Sequence, residues 1–347
     1  MADINLTAVE KHFDGVPALQ SITAHLNDGE FVALLGPSGC GKSTLLRLLA
    51  GFETPTQGAV SIGAAEVANA ATGLAVPPEA RNIGFVFQSY ALWPHMSVRR
   101  NVAYPLDVRG ISKADKIRQT DAALAATGLQ HYADRMPAEL SGGQRQRVAL
   151  ARCLVSAPDA VLLDEPLANL DVALRASMQD VFSDFHDRTG ATMVYVTHDQ
   201  SEAMAMADRI AVMSEGRIVQ LDTPEILYNQ PRSKFVAGFV GEGTVLPIGD
   251  VDHSGNMVQA RLLRKTITIK TDTQSPNLIC LRPEHISITE TGDLRAEVQR
   301  CTYLGGRYRL TLHLPDGTPI QAESRDRYAL GTQLGVSIKA PWAFTEV

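Results

Sequence analysis

The run Gly36, Pro37, Ser38, Gly39, Cys40, Gly41, Lys42, Ser43, Thr44 limits what this chain can fold into more than any other segment. It fits G-x-x-x-x-G-K-[ST] at Gly36, Gly41, Lys42 and Ser43. The apolar segment FVALL leads directly into it, and STLLRLLAG leads out. FVALL reads as a buried strand, and the leucine spacing after Lys42 reads as a helix. Glycines let backbone N–H groups turn inward around phosphate oxygens without a Cβ in the way. The following helix offers its free N–H groups and positive dipole end to the same anion. Lys42 is expected to reach β- and γ-phosphates, and the Ser43 hydroxyl to ligate Mg²⁺.

The surrounding pattern agrees. Short apolar runs at Phe31–Leu35, Ile83–Gln88, Ala160–Leu163, Thr192–Val196 and Ile210–Met213 alternate with helical stretches at Ser43–Ala50, Gly142–Val155, Ala173–Asp187 and Ser201–Ala207. Such alternation predicts a parallel sheet covered by helices, with ligands bound beyond the carboxyl ends of its strands. Residues 89–157 read as a helical insertion in this α/β core. After about Val240 the segments are short and β-rich: Met257–Leu263, Thr266–Lys270, Leu278–Leu281 and Tyr308–Leu314. Tyr308, Leu310, Leu312 and Leu314 share one face. Turn signals at Ser254, Gly255, Asn256 and at Pro315, Asp316, Gly317 separate them. A small all-β sandwich or barrel is expected there, giving domains at 1–235 and 240–347.

At 347 residues the chain can bury ordinary cores without staples. Basic residues number 32 against 38 acidic, a net charge of −6. Residues 241–347 are balanced at 12 of each, so the whole excess lies in the first 240. A protein that neutralises phosphodiester backbones leans the other way, and no nucleic-acid partner is expected. Cys40, Cys153, Cys280 and Cys301 form no C-x-x-C pair or zinc spacing, which fits a reducing compartment. The start MADINLTAVEKHF lacks the apolar core of a signal peptide. No run of 18 apolar residues appears, so the chain is not expected to cross a membrane by itself.

Further motifs stand at strand ends and helix starts. Ser141, Gly142, Gly143 and Gln144 open the helix QRQRVALARCLV. Ser141 is a natural N-cap, and the glycines leave the first N–H groups unobstructed. Taken alone, this is either a second anion site without a lysine or a capped helix with a flexible entry. The strand AVLLDE ends in Asp164 and Glu165, whose side chains should point to opposite sides. TMVYV is followed by Thr197, His198 and Asp199 near the same sheet edge. Gln88 ends IGFVFQ. Cys40 reads as a small filler within the loop.

A phosphate loop, a glutamine loop at Gln88, L-S-G-G-Q, a V-L-L-D-E strand end and a T-H-D loop, in this order, resemble the nucleotide-binding subunit of an ATP-binding cassette (ABC) transporter. The resemblance covers roughly residues 1–235. It implies a RecA-like P-loop domain that hydrolyses ATP with Mg²⁺. Asp164 would support Mg²⁺ through water, Glu165 would polarise the attacking water as general base, and His198 would contact the γ-phosphate and help hold that water and Glu165 in place. Gln88 would contact Mg²⁺ or that water, while the loop Ser89–Pro94 senses a membrane permease. Phe13 would stack on adenine, with a core aromatic as the alternative. Two subunits would pair head-to-tail as a homodimer, so that Ser141, Gly142, Gly143 and Gln144 close on the partner's ATP. Asp171 matches the loop linking the two sites, and an N-cap role is compatible. Ala168 stands where the family often has Ser.

Leu281, Arg282, Pro283 and Glu284, followed by Tyr303, Leu304 and Gly305, resemble the oligonucleotide-fold-like (TOBE) accessory domain of importer ATPases of the maltose, polyamine, ferric-iron and phosphonate kinds. A peripheral subunit on the cytoplasmic face of the inner membrane is implied, serving a permease and, indirectly, a substrate-binding protein. The stretch 241–247 leans toward ferric iron, with aminoethylphosphonate, polyamine and sugar as alternatives. The rival class is a soluble ABC ATPase acting on DNA or ribosomes. The 99 residues from Lys42 to Ser141 leave no room for a long coiled coil, and only one cassette is present. A small-molecule kinase would lack L-S-G-G-Q.

Overall fold

In residues 1–224 the chain runs β1 (Ile4–Phe13), β2 (Val16–Leu26), β3 (Phe31–Leu35), α1 (Lys42–Ala50), β4 (Gln57–Ile62), β5 (Ala65–Asn69), β6 (Leu74–Ala75), β7 (Ile83–Val86), α2 (Val98–Val108), α3 (Lys113–Ala126), α4 (Gly142–Leu154), β8 (Ala160–Asp164), α5 (Val172–Thr189), β9 (Thr192–Thr197), α6 (Gln200–Met206), β10 (Arg209–Ser214) and β11 (Arg217–Asp222). This computed structural model describes residues 2–168, 170–254, 257–263, 265–292, 294–339 and 341–346. Two compact units result, Met1–Pro224 and Glu225–Val347.

The central sheet of the first unit has the order β11-β10-β3-β9-β8-β7. β10, β3, β9, β8 and β7 pair in parallel, and β11 closes one edge antiparallel to β10. All five residues of β3 and all six of β9 are buried, as strands covered on both faces must be. Most of the expected strands and helices lie within a residue or two of their expected ends. The strand expected to end at Gln88 ends at Val86.

A second sheet, β2-β1-β4-β5-β6, is antiparallel and had no counterpart in the alternating pattern. Its strands hide their period. Ala8 and Ser21 take φ of 46° and 48°, and the β1–β2 register shifts between Leu6 and Val9 and again on either side of Lys11. Each bulge reverses which side chains face inward, so the alternation breaks. Leu45, Leu46, Leu48 and Leu49 of α1 fill the space shared by both sheets. A separate cluster around Val98, Val102, Leu106, Leu124 and Val148 holds α2, α3 and α4 together.

The second unit begins with two short helices, α7 (Pro224–Asn229) and α8 (Lys234–Phe239). Strands follow: β12 (Thr244–Pro247), β13 (Gly249–Ser254), β14 (Met257–Leu262), β15 (Lys265–Thr271), β16 (Leu278–Leu281), β17 (Ile286–Ile288), β18 (Leu294–Tyr303), β19 (Tyr308–His313), β20 (Pro319–Ser324), β21 (Gln333–Ile338) and β22 (Trp342–Phe344). They form the sheets β12-β16-β22-β15-β14-β13 and β17-β21-β18-β19-β20 over one apolar core. Leu310, Leu312 and Leu314 lie in it, buried as their alternation requires. The turn expected at Gly255 and Asn256 lies outside the described residues.

Arg282 explains the L-R-P-E motif physically. It is 2 % exposed. Its Nε donates to the Tyr228 carbonyl and its Nη1 to the Ala237 carbonyl, both at 2.9 Å, with further bonds to Val240 O and again to Tyr228 O. The Tyr228 ring lies 4.3 Å from the guanidinium carbon. One buried cation thus closes the carbonyl ends of α7 and α8, where helix dipoles favour positive charge. Arg282→Ala strands these carbonyls. We expect a loss of about 3 kcal/mol, measured by urea unfolding followed through Trp342 fluorescence in a Trp93→Phe background.

Candidate active site

The parallel register sets the site. Leu35 of β3 pairs with Thr197 of β9, and Val196 of β9 pairs with Asp164 of β8. The glycine loop, His198 and the Asp164–Glu165 pair therefore leave the sheet side by side at its carboxyl edge.

Glycine is required twice in the loop. A Cβ on Gly36 would stand 2.3 Å from Met213 O. Gly41 has φ of 104°, and a Cβ there would meet Ala18 O at 2.6 Å. No side chain caps the start of α1, which leaves its first N–H groups free to receive an anion. Lys42 is 6 % exposed and folds back across the loop. Its Nζ donates to Gly36 O at 2.7 Å and Pro37 O at 2.9 Å, with Cys40 Sγ at 3.9 Å. Pro37, Ser38 and Gly39 are exposed at the rim, Cys40 is buried beneath it, and Thr44 is half-buried in the first turn of α1.

The Ser43 hydroxyl donates to Asp164 Oδ1 at 3.1 Å, which joins the loop to the end of β8. Burial raises the Asp164 pKa, while the Ser43 hydrogen bond and Arg47 pull it back down. These are hard oxygen donors suited to Mg²⁺. Among the described residues no group of three or more His, Cys, Asp and Glu side chains could hold a metal alone.

Glu165 departs from the expected strand alternation. β8 ends at Asp164, and Glu165 takes φ of 44° while its N–H still donates to Val196 O at 3.1 Å. A left-handed residue without glycine is strained and persists only where its surroundings hold it. The turn brings Glu165 Oε2 to 3.5 Å from His198 Nδ1. The site also contains residues that the motifs did not reveal. They are Arg175 and Glu202, which line a cavity of about 10 Å³ together with Glu165, Ala168 and the Thr197, His198 and Asp199 of the T-H-D loop.

The other expected residues are placed as follows. Gln88 is exposed in a turn two residues past β7. Phe13 is 43 % exposed, which argues against a core role, and Lys11 Nζ lies 4.8 Å from its ring centre. Ser141 and Gln144 form a reciprocal cap: Gln144 N donates to Ser141 Oγ at 3.3 Å, and Ser141 N to Gln144 Oε1 at 2.9 Å. Gly142 and Gly143 lie against Leu170 and Leu174. No hydrogen bond or ion pair among the described residues joins this turn to the loop at 36–44. Asp171 caps α5, accepting from Leu174 N at 2.9 Å, and Val172 beside it is 83 % exposed.

Comparisons with known proteins identify the family. The ABC transporter family model matches residues 19–168, and the TOBE domain model matches residues 279–345. The spermidine/putrescine import ATP-binding protein PotA 2 of Pseudomonas aeruginosa is 40 % identical, covering 98 % of this chain and 96 % of the relative. The maltose/maltodextrin import ATP-binding protein MalK of Yersinia pestis is 42 % identical over 91 % of this chain and 86 % of its own length. A dimeric structure of a post-hydrolysis state of the ATP-binding cassette MJ0796, bound to ADP and Pi, is similar at 30 % identity and a TM-score of 0.55. It covers 64 % of this chain and 98 % of that one. The chain belongs to the ABC transporter family. Within that family it is an import ATP-binding subunit, an ATPase coupled to transport, with an accessory TOBE domain of oligonucleotide-fold type.

Two outcomes follow from the loop and its acid. Gly41→Ala should raise the Kd for ATP by about fivefold to a hundredfold, the equivalent of a backbone strain of about 1–3 kcal/mol; equilibrium titration with a fluorescent ATP analogue measures it. Asp164→Asn removes a charge that burial disfavours, so its Tm at neutral pH should equal or exceed that of the wild type. Its Mg²⁺-dependent hydrolysis should be lost.

Proposed function

We propose that this subunit captures Mg-ATP in the 36–44 loop and cleaves it with Glu165 and His198. The observation that carries this reading is the shared sheet edge, where Lys42, Ser43, Asp164, Glu165 and His198 converge. Lys42 and the α1 N–H groups bind the phosphates, and Phe13 offers a ring face to the base. Glu165 accepts the proton of the attacking water. His198 orients that carboxylate and the γ-phosphate. Ser43, Asp164 and Gln88 would hold Mg²⁺, which when bound neutralises charge on the phosphates.

The signature turn at Ser141–Gln144 acts in trans in this reading. Its glycine-opened helix start offers N–H groups to a phosphate, and among the described residues no hydrogen bond or ion pair joins it to the chain's own loop. The exposed Val172 beside Asp171 supports a homodimer that covers this loop, because a lone apolar side chain gains by burial between copies. A cleft of about 500 Å³ beyond Gln88 suits a permease helix. Phe87, Trp93, Tyr104 and Val108 line it, and Val108 is 70 % exposed. No helix among the described residues is long and apolar enough to cross a membrane. In this reading the subunit attaches peripherally at the cytoplasmic face through a permease, with a substrate-binding protein further along the same path. The 1–235 segment then performs the nucleotide chemistry, and 240–347 is the accessory domain.

Cargo is chosen by the permease. The relatives named above import spermidine and putrescine or maltose and maltodextrin. They lend the ferric-iron reading no support.

Glu165→Gln should bind ATP with unchanged affinity and accumulate as a closed dimer by size exclusion with Mg-ATP; wild-type turnover in this variant would remove Glu165 as the base. Mixing Ser141→Arg with Lys42→Ala subunits should restore hydrolysis at one composite site per heterodimer. If no activity returns while wild-type mixtures stay active, the trans arrangement fails. Affinity purification from detergent-solubilised membranes, followed by mass spectrometry, identifies the permease and with it the cargo.

A further inference from the structure

Glu202 is 4 % exposed, at the inner side of α6. Its Oε2 accepts from the Tyr195 hydroxyl at 2.8 Å and the Thr197 hydroxyl at 2.6 Å. Arg175 Nε stands 3.6 Å from its other oxygen, and Arg175 Nη1 lies 3.2 Å from Asp199 Oδ2. Asp199 N in turn donates to Thr197 Oγ1 at 3.0 Å, and the Asp199 carboxylate caps α6 through Ser201 N and Glu202 N. Burial and the adjacent Glu202 carboxylate hold the Tyr195 hydroxyl well above its usual pKa, so it remains a donor.

Thr197 and Asp199 are the residues on either side of His198. Both are fixed by this network, yet the imidazole takes no part in it. The His198 side chain is 60 % exposed, and among the described residues its one polar contact is with the Glu165 carboxylate, at 3.5 Å. The backbone that carries the ring is therefore clamped while the ring stays free for chemistry. A buried carboxylate is costly unless several donors converge on it, and a strand–helix junction can be packed with apolar residues instead. Here two hydroxyls of β9 donate to Glu202, and the Arg175 guanidinium of α5 faces its other oxygen as an ion pair without a hydrogen bond. Arg175 adds a second connection. Its Nη2 donates to Leu170 O at 3.4 Å, next to Asp171 in the loop that precedes α5.

We propose that Glu202 and Arg175 are positioning residues that set the angle at which His198 meets Glu165, and that Arg175 couples this angle to the backbone at Leu170. The inference rests on the reading of Glu165 and His198 as the hydrolytic pair. A misplacement on the order of 1 Å at such a pair can cost about a hundredfold in rate.

The test uses the full-length chain with Glu202→Gln, which keeps the shape and the hydroxyl contacts but removes the charge that faces Arg175. Steady-state hydrolysis, ATP Kd and the ring ¹⁵N resonances of His198, assigned by their loss in His198→Gln, are read together. We expect kcat to fall about tenfold, Kd to stay within about twofold, and the His198 resonances to move. A kcat within about twofold of wild type, or a lost kcat with unmoved His198 resonances, overturns the proposal. Arg175→Lys is the second variant and replaces Glu202→Gln if circular dichroism shows that the latter does not fold; the same readings apply to it. His198→Ala separates the two levels. If His198→Ala hydrolyses ATP at the wild-type rate, the hydrolytic reading falls and this inference with it. If His198→Ala is inactive while Glu202→Gln is not, only the positioning role falls.

Discussion

Strands buried on both faces tolerate little slippage, because a shift of one residue exchanges every inward side chain for an outward one. β3, β9 and β8 are such strands, and their parallel pairing places Leu35, Thr197 and Asp164 at one edge of the sheet. The site depends on that register. The loop with Lys42, the acids after β8 and the histidine after β9 come from three distant parts of the chain. Apolar packing against α1 fixes them relative to one another before any ligand arrives. A cavity-forming substitution in β9 would therefore disturb hydrolysis without touching a functional group.

The loop was legible in the sequence because all its parts are contiguous. Strand, glycines, lysine and helix lie within Phe31–Ala50, and each is dictated locally. The signature cap was equally local, since Ser141 and Gln144 satisfy each other within one turn. The contact between Glu165 and His198 could not be read from spacing. It came from the family resemblance, and the fold supplies the reason through the β8–β9 pairing. The left-handed turn at Glu165 left no trace in the sequence, because a non-glycine residue there gives no signal of positive φ.

Arg175 and Glu202 were missed for a different reason. An arginine in the first turns of a helix normally reads as solvated. Glu202 did leave a weak sign: it sits among Ala203, Met204, Ala205 and Met206, where a carboxylate is out of place unless partners are buried with it. The antiparallel sheet was illegible because bulges at Ala8 and Lys11 interrupt the period on which strand reading relies. In the C-terminal unit the alternation of β19 was regular, and its buried leucines followed directly.

The backward fold of Lys42 has a kinetic consequence. An ammonium has three N–H donors, and two of them are occupied by Gly36 O and Pro37 O, while among the described residues the further acceptor near it is a weak one, the Cys40 sulfur. In the proposed function, the one donor left exchanges that sulfur for a phosphate oxygen. The flexible four-carbon arm is already frozen, and immobilising such a chain costs up to about 2 kcal/mol. Folding has borne that entropy loss, so an incoming triphosphate meets a charge that no longer has to search for its place.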